Sequence, residues 1–265
     1  MTLVQIVVLA IVQGFTEFLP ISSSGHLVLT PRLAGWPDQG LAFDVAVHLG
    51  TLAGVTTYFY RDLIGIAGGV LSIRPGKPIN RDARLGLMLI VATLPAGIAA
   101  LALGDWIETV ARSPMVIATT TLVFGIALWL ADRFGPQLKA EQAYGFRAAL
   151  ALGCAQALAL IPGTSRSGIT MTAALAMGYT RTAAARFSFL MSVPVIVLAS
   201  LAVTVDLVTS DAPVRWTELG LGAALSGLVA YLTIRYFLKF VEFVGMAPFA
   251  VYRIVLAAVI FYVFA

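Results

Sequence analysis

The chain has 265 residues, of which 60% are hydrophobic and only 11% charged, and its mean hydropathy is +0.94. Its formal charge is +4 and its pI about 9.4. These values exclude a water-soluble domain, and the basic balance reads as loop charge held beside a membrane, not as a nucleic-acid surface.

The first apolar run covers 2–19. It lacks a basic leader region and a small-residue cleavage site, so it is read as mature chain. It leads into Gln13–His26, Q-G-F-T-E-F-L-P-I-S-S-S-G-H. An amide, a carboxylate, three hydroxyls and an imidazole in such a setting are expensive. A carboxylate at the centre of a spanning helix costs about 2.5–3.5 kcal/mol, so the cluster is a functional-site hypothesis by default.

Further apolar runs follow at 41–60, 85–103, 115–131, 147–161, 186–205, 218–238 and 248–265. The run at 147–161 leads into Gln156–Thr170, Q-A-L-A-L-I-P-G-T-S-R-S-G-I-T. A shift of 143 lays Gln13 on Gln156, Ser22 on Ser165, Ser24 on Ser167 and Gly25 on Gly168. The same shift puts Glu17 on Leu160, Ser23 on Arg166 and His26 on Ile169. The acid and imidazole therefore fall in the first half and the guanidinium in the second.

Both stretches interrupt an apolar run with Pro, Gly and Ser, then resume it briefly at Leu27–Leu29 and Ile169–Met177. That pattern predicts helices that enter the bilayer, break and return, which is allowed where protein or a water cavity covers the broken backbone. Loop charge supports this reading. With both segments re-entrant, one side receives the basic residues of 61–84, Arg133, Lys139, Arg147, Arg181, Arg186, Arg235 and Lys239. The other receives Arg32, Arg112 and Arg215. The basic side is then cytoplasmic and both termini lie on the opposite, periplasmic face.

The expected fold is an all-α integral membrane protein with six transmembrane helices and two re-entrant helical hairpins. Three spans per half invert the second repeat (about 147–265) relative to the first (about 1–132), so the two hairpin tips meet near the midplane. Asp105, Glu108, Asp206, Asp211 and Glu218 fall outside as a solvated rim.

Gln13 and Glu17 are i and i+4 on one helix face, where they could hold a divalent cation with water and phosphate oxygens. The bland alternative is a carboxylate hydrogen-bonded for structure. Ser22, Ser23, Ser24 and Gly25 precede a short helix whose free N–H groups suit an anion; a plain N-cap is the alternative. His26 can move protons near neutral pH. Arg166, flanked by Thr164, Ser165, Ser167 and Gly168, has a planar fork that matches phosphate; a structural ion pair with Glu17 is the alternative. The set suits phosphoryl transfer. Asp44 and His48 read as a buried hydrogen-bonded pair or as a contact supporting the site from one layer out, Arg186 as a snorkelling anchor, and Tyr144, Tyr252 and Arg253 carry no specific signal.

Q-G-F-T-E-F-L-P-I-S-S-S-G-H and P-G-T-S-R-S-G resemble the two signature motifs of the undecaprenyl pyrophosphate phosphatase family of the bacitracin-resistance type. The resemblance covers nearly the whole chain. It implies a bacterial inner-membrane enzyme that removes the terminal phosphate of undecaprenyl diphosphate, recycling the lipid carrier for peptidoglycan, with Mg²⁺ or Ca²⁺ as cofactor. Carried over, Glu17 matches the acid near metal and diphosphate, Ser23 the nucleophilic serine, His26 the motif histidine and Arg166 the phosphate-binding arginine. Gln13 stands where the family has Glu or Gln, and Gln weakens metal ligation there. Ser23, His26 and a water all remain open as the nucleophile.

Two other classes compete. Type-2 phosphatidic-acid phosphatases share Ser-Gly-His and Ser-Arg, but need a second histidine and an acid that Ser167–Phe187 lacks. An anionic-lipid transporter would use the same inverted architecture without needing Ser23 or a metal. Glycine pairs such as Gly65/Gly69 could pack helices within the chain or across a homodimer.

Overall fold

The structure is a computed structural model that describes residues 1–109, 113–209 and 215–264, with backbone alone at 105–109 and 202–209. The first hairpin is α1 (Leu3–Thr16) and α2 (Ser23–Ala34), followed by α3 (Leu41–Tyr58) and α4 (Tyr60–Leu71). Two long helices, α5 (Arg81–Thr109) and α6 (Pro114–Phe134), complete the first half. The second hairpin is α7 (Phe146–Ala157), a 3₁₀ turn at Leu158–Leu160, and α8 (Arg166–Ala176). The remaining helices are α9 (Arg181–Thr209), α10 (Trp216–Val244) and α11 (Ala247–Phe264).

Five described helices, α5, α6, α9, α10 and α11, are long and apolar enough to cross a bilayer. The expected sixth, α3, has 18 residues but carries Asp44 and His48. With 14 and 12 residues, α1 and α7 rise about 21 and 18 Å, short of a hydrocarbon core about 30 Å thick. Each hairpin stops where its sequence stops favouring helix: α1 gives way to the turn containing Pro20, and α7 to Pro162–Gly163.

Apolar burial cannot drive helix association inside lipid, so close backbone approach and polar contacts carry it. At the α3–α10 crossing a Cβ added to Gly50 would sit 2.1 Å from the Ala223 carbonyl, and Ser226 donates to the Val47 carbonyl at 2.9 Å. In the same way α1 packs on α10, while α7 packs on α5. Phe18, Phe59, Phe187 and Phe189 fill the largest apolar cluster.

Several expectations need correcting. The 61–84 loop contains α4, and Gly65 and Gly69 face Asp82 and Ala83 of α5, so this pair packs within the chain. Arg186 is not a free anchor. It bonds Asp62 at 2.6 Å and Glu141 at 3.2 Å, tying α9 to α4 and to the segment before α7. Glu218 accepts from Arg215 and from the N-terminal ammonium. The side chains of Asp105, Glu108, Asp206 and Asp211 lie outside the described residues.

Candidate active site

The two broken loops share one backbone solution. Ser22 and Ser165 precede α2 and α8 with φ of 72° and 69°, a region that L-residues rarely adopt. Each hydroxyl lies 3.3 Å from that of the serine two residues on, Ser24 and Ser167. Such strain persists only where surrounding contacts impose it. Those contacts include Ser167 Oγ donating to the Leu19 carbonyl at 2.9 Å, which joins the loops directly. Thr120 and Thr121 of α6 donate to the Pro162 and Gly163 carbonyls at 2.6 and 3.2 Å.

Between the tips lies a cleft of about 330 Å³. Glu17, Ser22, Ser23, Ser24, Ser165 and Arg166 line its polar side, together with Asp44 and His48 from α3. Its apolar lining includes Val45, Val195, Ile196 and Ala199. Ser23 Oγ donates to Glu17 Oε2 at 2.8 Å. Arg166 Nη2 lies 3.4 Å from Glu17 Oε1, while its Nη1 donates to the Ser188 carbonyl at 3.0 Å. The guanidinium also sits 6.0 Å from the Phe18 ring centroid. Gln13 Nε2 donates to Glu17 Oε2 at 3.0 Å from behind. The carboxylate is thus fixed by three side chains from two distant parts of the chain.

Other residues singled out above take different places. His26 sits beside the cleft: Nδ1 is 2.7 Å from the Ser22 carbonyl, and Nε2 is 2.5 Å from the hydroxyl of Tyr252 on α11. Gly25 faces a small apolar crevice beside Ile117. The Gly168 N–H is taken by Ser165 Oγ, and Thr164 is fully buried. The imidazole that lines the cleft belongs to His48. Its Nδ1 donates to the Asp44 backbone carbonyl at 2.7 Å, which leaves Nε2, 3.7 Å from Glu17 Oε2, toward the cleft. The expected hydrogen-bonded pair is thus present, with the Asp44 backbone carbonyl as acceptor, and His48 also reaches the site through Glu17.

Arg253 is a second residue without a sequence motif that reaches the loops. It is fully buried and donates to the carbonyls of Thr121, Gly163, Thr120 and Pro20. One signal could have found it: it is the single charge in the apolar run of α11, and the cost reasoning applied to Arg166 holds for it equally.

A model of the family described as "Bacitracin resistance protein BacA" matches residues 6–259. The chain belongs to this family. It is 54% identical to undecaprenyl-diphosphatase 2 of Stutzerimonas stutzeri (strain A1501), covering 100% of this chain and 99% of that protein. An undecaprenyl-diphosphatase of Teredinibacter turnerae is likewise 54% identical, over 98% of this chain and 99% of its own. One from Alcanivorax borkumensis is 53% identical over 97% of each. The BacA family membership and the apolar helices make this a multi-pass bacterial membrane protein.

Proposed function

We propose that this protein is an undecaprenyl-diphosphate phosphatase, cleaving the terminal phosphate of the lipid diphosphate and leaving undecaprenyl phosphate. The relatives' names support the reaction. The observation that carries the site assignment is the Ser23–Glu17–Arg166 chain of contacts at 2.8 and 3.4 Å in a cleft lined by both polar and apolar side chains.

On this reading the Arg166 guanidinium holds the terminal phosphate. The start of α2, which has no side-chain cap bond, offers N–H groups to the same oxygens. Ser23 Oγ attacks the terminal phosphorus and passes its proton to Glu17. The bond to the bridging oxygen breaks and that oxygen leaves with the lipid monophosphate. Water then cleaves the phosphoserine, releasing inorganic phosphate. His26, engaged with Ser22 and Tyr252, fixes the loop beside Ser23.

The reading includes a divalent cation, Mg²⁺ or Ca²⁺. Among the described residues no three His, Cys, Asp or Glu side chains form a ready metal cluster. The oxygens present still suit a hard cation that takes one or two carboxylates and fills its shell with water and phosphate. Glu17 and Asp44 line the cleft, and Gln13 Oε1 is buried behind Glu17 without a hydrogen-bond partner. Glu17 and Asp44 would hold the ion, which when bound neutralises charge on the diphosphate.

We also propose that the halves are inverted repeats with the basic loops cytoplasmic. The exchange of partners, α1 on α10 and α7 on α5, supports that symmetry. The cleft is lined from the start of α3, so its mouth would face the periplasm with the termini. The test is phosphate release from a C55 diphosphate lipid by purified protein in detergent, with and without EDTA, beside Ser23→Ala. Release that EDTA abolishes and Mg²⁺ restores, and that falls at least about 100-fold in the variant, is expected. Release that survives Ser23→Ala moves the nucleophile to water or His26. No release from monodisperse parent protein rejects the phosphatase.

A further inference from the structure

We propose, on the phosphatase reading above, that Arg253 is a positioning residue that clamps the two loop tips to α6 and so sets the distance between Glu17 and Arg166. Arg253 does not line the cleft, so it acts through the backbone of the groups that do. Its four acceptors are all carbonyl oxygens on three separate segments. Nε reaches Thr121 at 3.1 Å and Nη2 reaches Thr120 at 3.4 Å, both on α6. Nη2 also reaches Gly163 of the second loop at 2.9 Å, and Nη1 reaches Pro20 of the first at 3.4 Å.

Packing alone does not account for an arginine here. The rest of the α6–α11 contact uses Ile117, Ala118, Leu256 and Ile260, as an apolar interface would. Among the described residues no carboxylate pairs with Arg253, so burial of its charge is compensated by backbone oxygens alone. Only a planar group with five donors can serve carbonyls arriving from three directions. The loop carbonyls have the complementary need, because a broken helix leaves buried oxygens without ladder partners. Two glycines make the room. A Cβ on Gly168 would lie 2.7 Å from Nη1, and one on Gly125 would lie 2.9 Å from the arginine Cβ.

The leverage is equal on the two sides. Pro20 follows Glu17 by three residues and Gly163 precedes Arg166 by three. Loss of the clamp loosens both tips at once, leaving them held by the Ser167, Thr120 and Thr121 hydroxyls. A misplacement of about 1 Å can cost about 100-fold in rate even when every reacting group is present.

The test compares parent, Arg253→Gln and Arg253→Lys as purified full-length protein, measuring phosphate release from a C55 diphosphate with Mg²⁺ together with amide hydrogen exchange. In Arg253→Gln kcat is expected to fall about 100-fold with KM within about threefold, because the groups that hold the phosphate remain. Exchange should quicken at 17–22 and 161–166 while α3 and α10 stay protected. Arg253→Lys should recover about tenfold in kcat, since an ammonium reaches fewer of the carbonyls. Parent-like kcat and loop exchange in Arg253→Gln overturn the proposal. So does a uniform rise in exchange across the molecule with Lys no better than Gln, which marks a merely structural residue. Parent protein that releases no phosphate, while loop exchange still depends on Arg253, rejects the phosphatase and leaves the clamp standing.

Discussion

Ser22 and Ser165 occupy the same point of two broken helices, with φ of 72° and 69° and the same 3.3 Å contact to the serine two residues on. The next residue divides them: Ser23 hydrogen-bonds Glu17 of its own hairpin, whereas Arg166 reaches across to that carboxylate. One backbone frame therefore presents a hydroxyl beside an acid in the first half and a cation in the second. On the phosphatase reading, neither loop alone holds the full set for phosphoryl transfer, and the difference between them supplies it where they meet.

The largest expected effect tests that division. Arg166→Ala should lower phosphate release by about 1,000-fold while the protein remains inserted and monodisperse by size exclusion. Normal turnover would mean that the second loop is only scaffolding. Moving the arginine back, as Ser23→Arg with Arg166→Ser, should leave the double variant as inactive as either single one, because the acid stays in the first half.

A smaller effect separates the glycines that end the matching serine runs. Gly168→Ala pushes a Cβ to within 2.7 Å of the Arg253 guanidinium, whereas Gly25→Ala meets nothing nearer than 3.6 Å. Release should drop about tenfold or more in the first variant and stay within about threefold of parent in the second. Equal losses would show that the second loop is no more tightly clamped than the first.

The smallest effect concerns strain. Glycine accepts positive φ, so Ser22→Gly should stabilise the protein by about 1 kcal/mol, read as a higher apparent melting midpoint in detergent. Ser165→Gly gains the same relief but loses the cap bond to the Gly168 N–H, worth about 1 kcal/mol, and should leave the midpoint near that of the parent. Matching shifts would mean that the cap bond carries no weight.

Sequence reading found the loops because proline, glycine and hydroxyls inside apolar runs are costly, and that cost is visible locally. It placed Glu17, Ser23 and Arg166 together because their two stretches echo each other. The sequence ranks His48 low because its i, i+4 relation to Asp44 offers a complete local explanation, whereas its approach to Glu17 joins α3 to the end of α1. Tyr252 and Arg253 were passed over for a related reason. Their partners are the His26 ring and the carbonyls of Pro20, Thr120, Thr121 and Gly163, and no spacing rule in one sequence brings α11 to those groups. The Asp62–Arg186–Glu141 network is not legible in the sequence because Arg186 sits at a run end, where snorkelling is the usual reading. Length and apolarity anticipated most of the spans, but α3 shows the limit: a helix that lines the cleft carries polar groups that lower its membrane signal.

The Glu17–Arg166 contact spans 149 residues of chain, and this bears on how the molecule is made. A ribosome adding roughly 5–20 residues per second needs roughly 7–30 s to travel from the acid to its cation. During that interval the first hairpin carries a carboxylate toward lipid with no guanidinium to meet it. The acid and its cation therefore meet only once α8 has been made, and α11, with the clamp, follows α8 in the chain. Hydrolysis is withheld from the nascent chain by the order of its own synthesis, and a product truncated after α6 keeps Gln13, Ser23 and His48 around the acid but lacks the guanidinium.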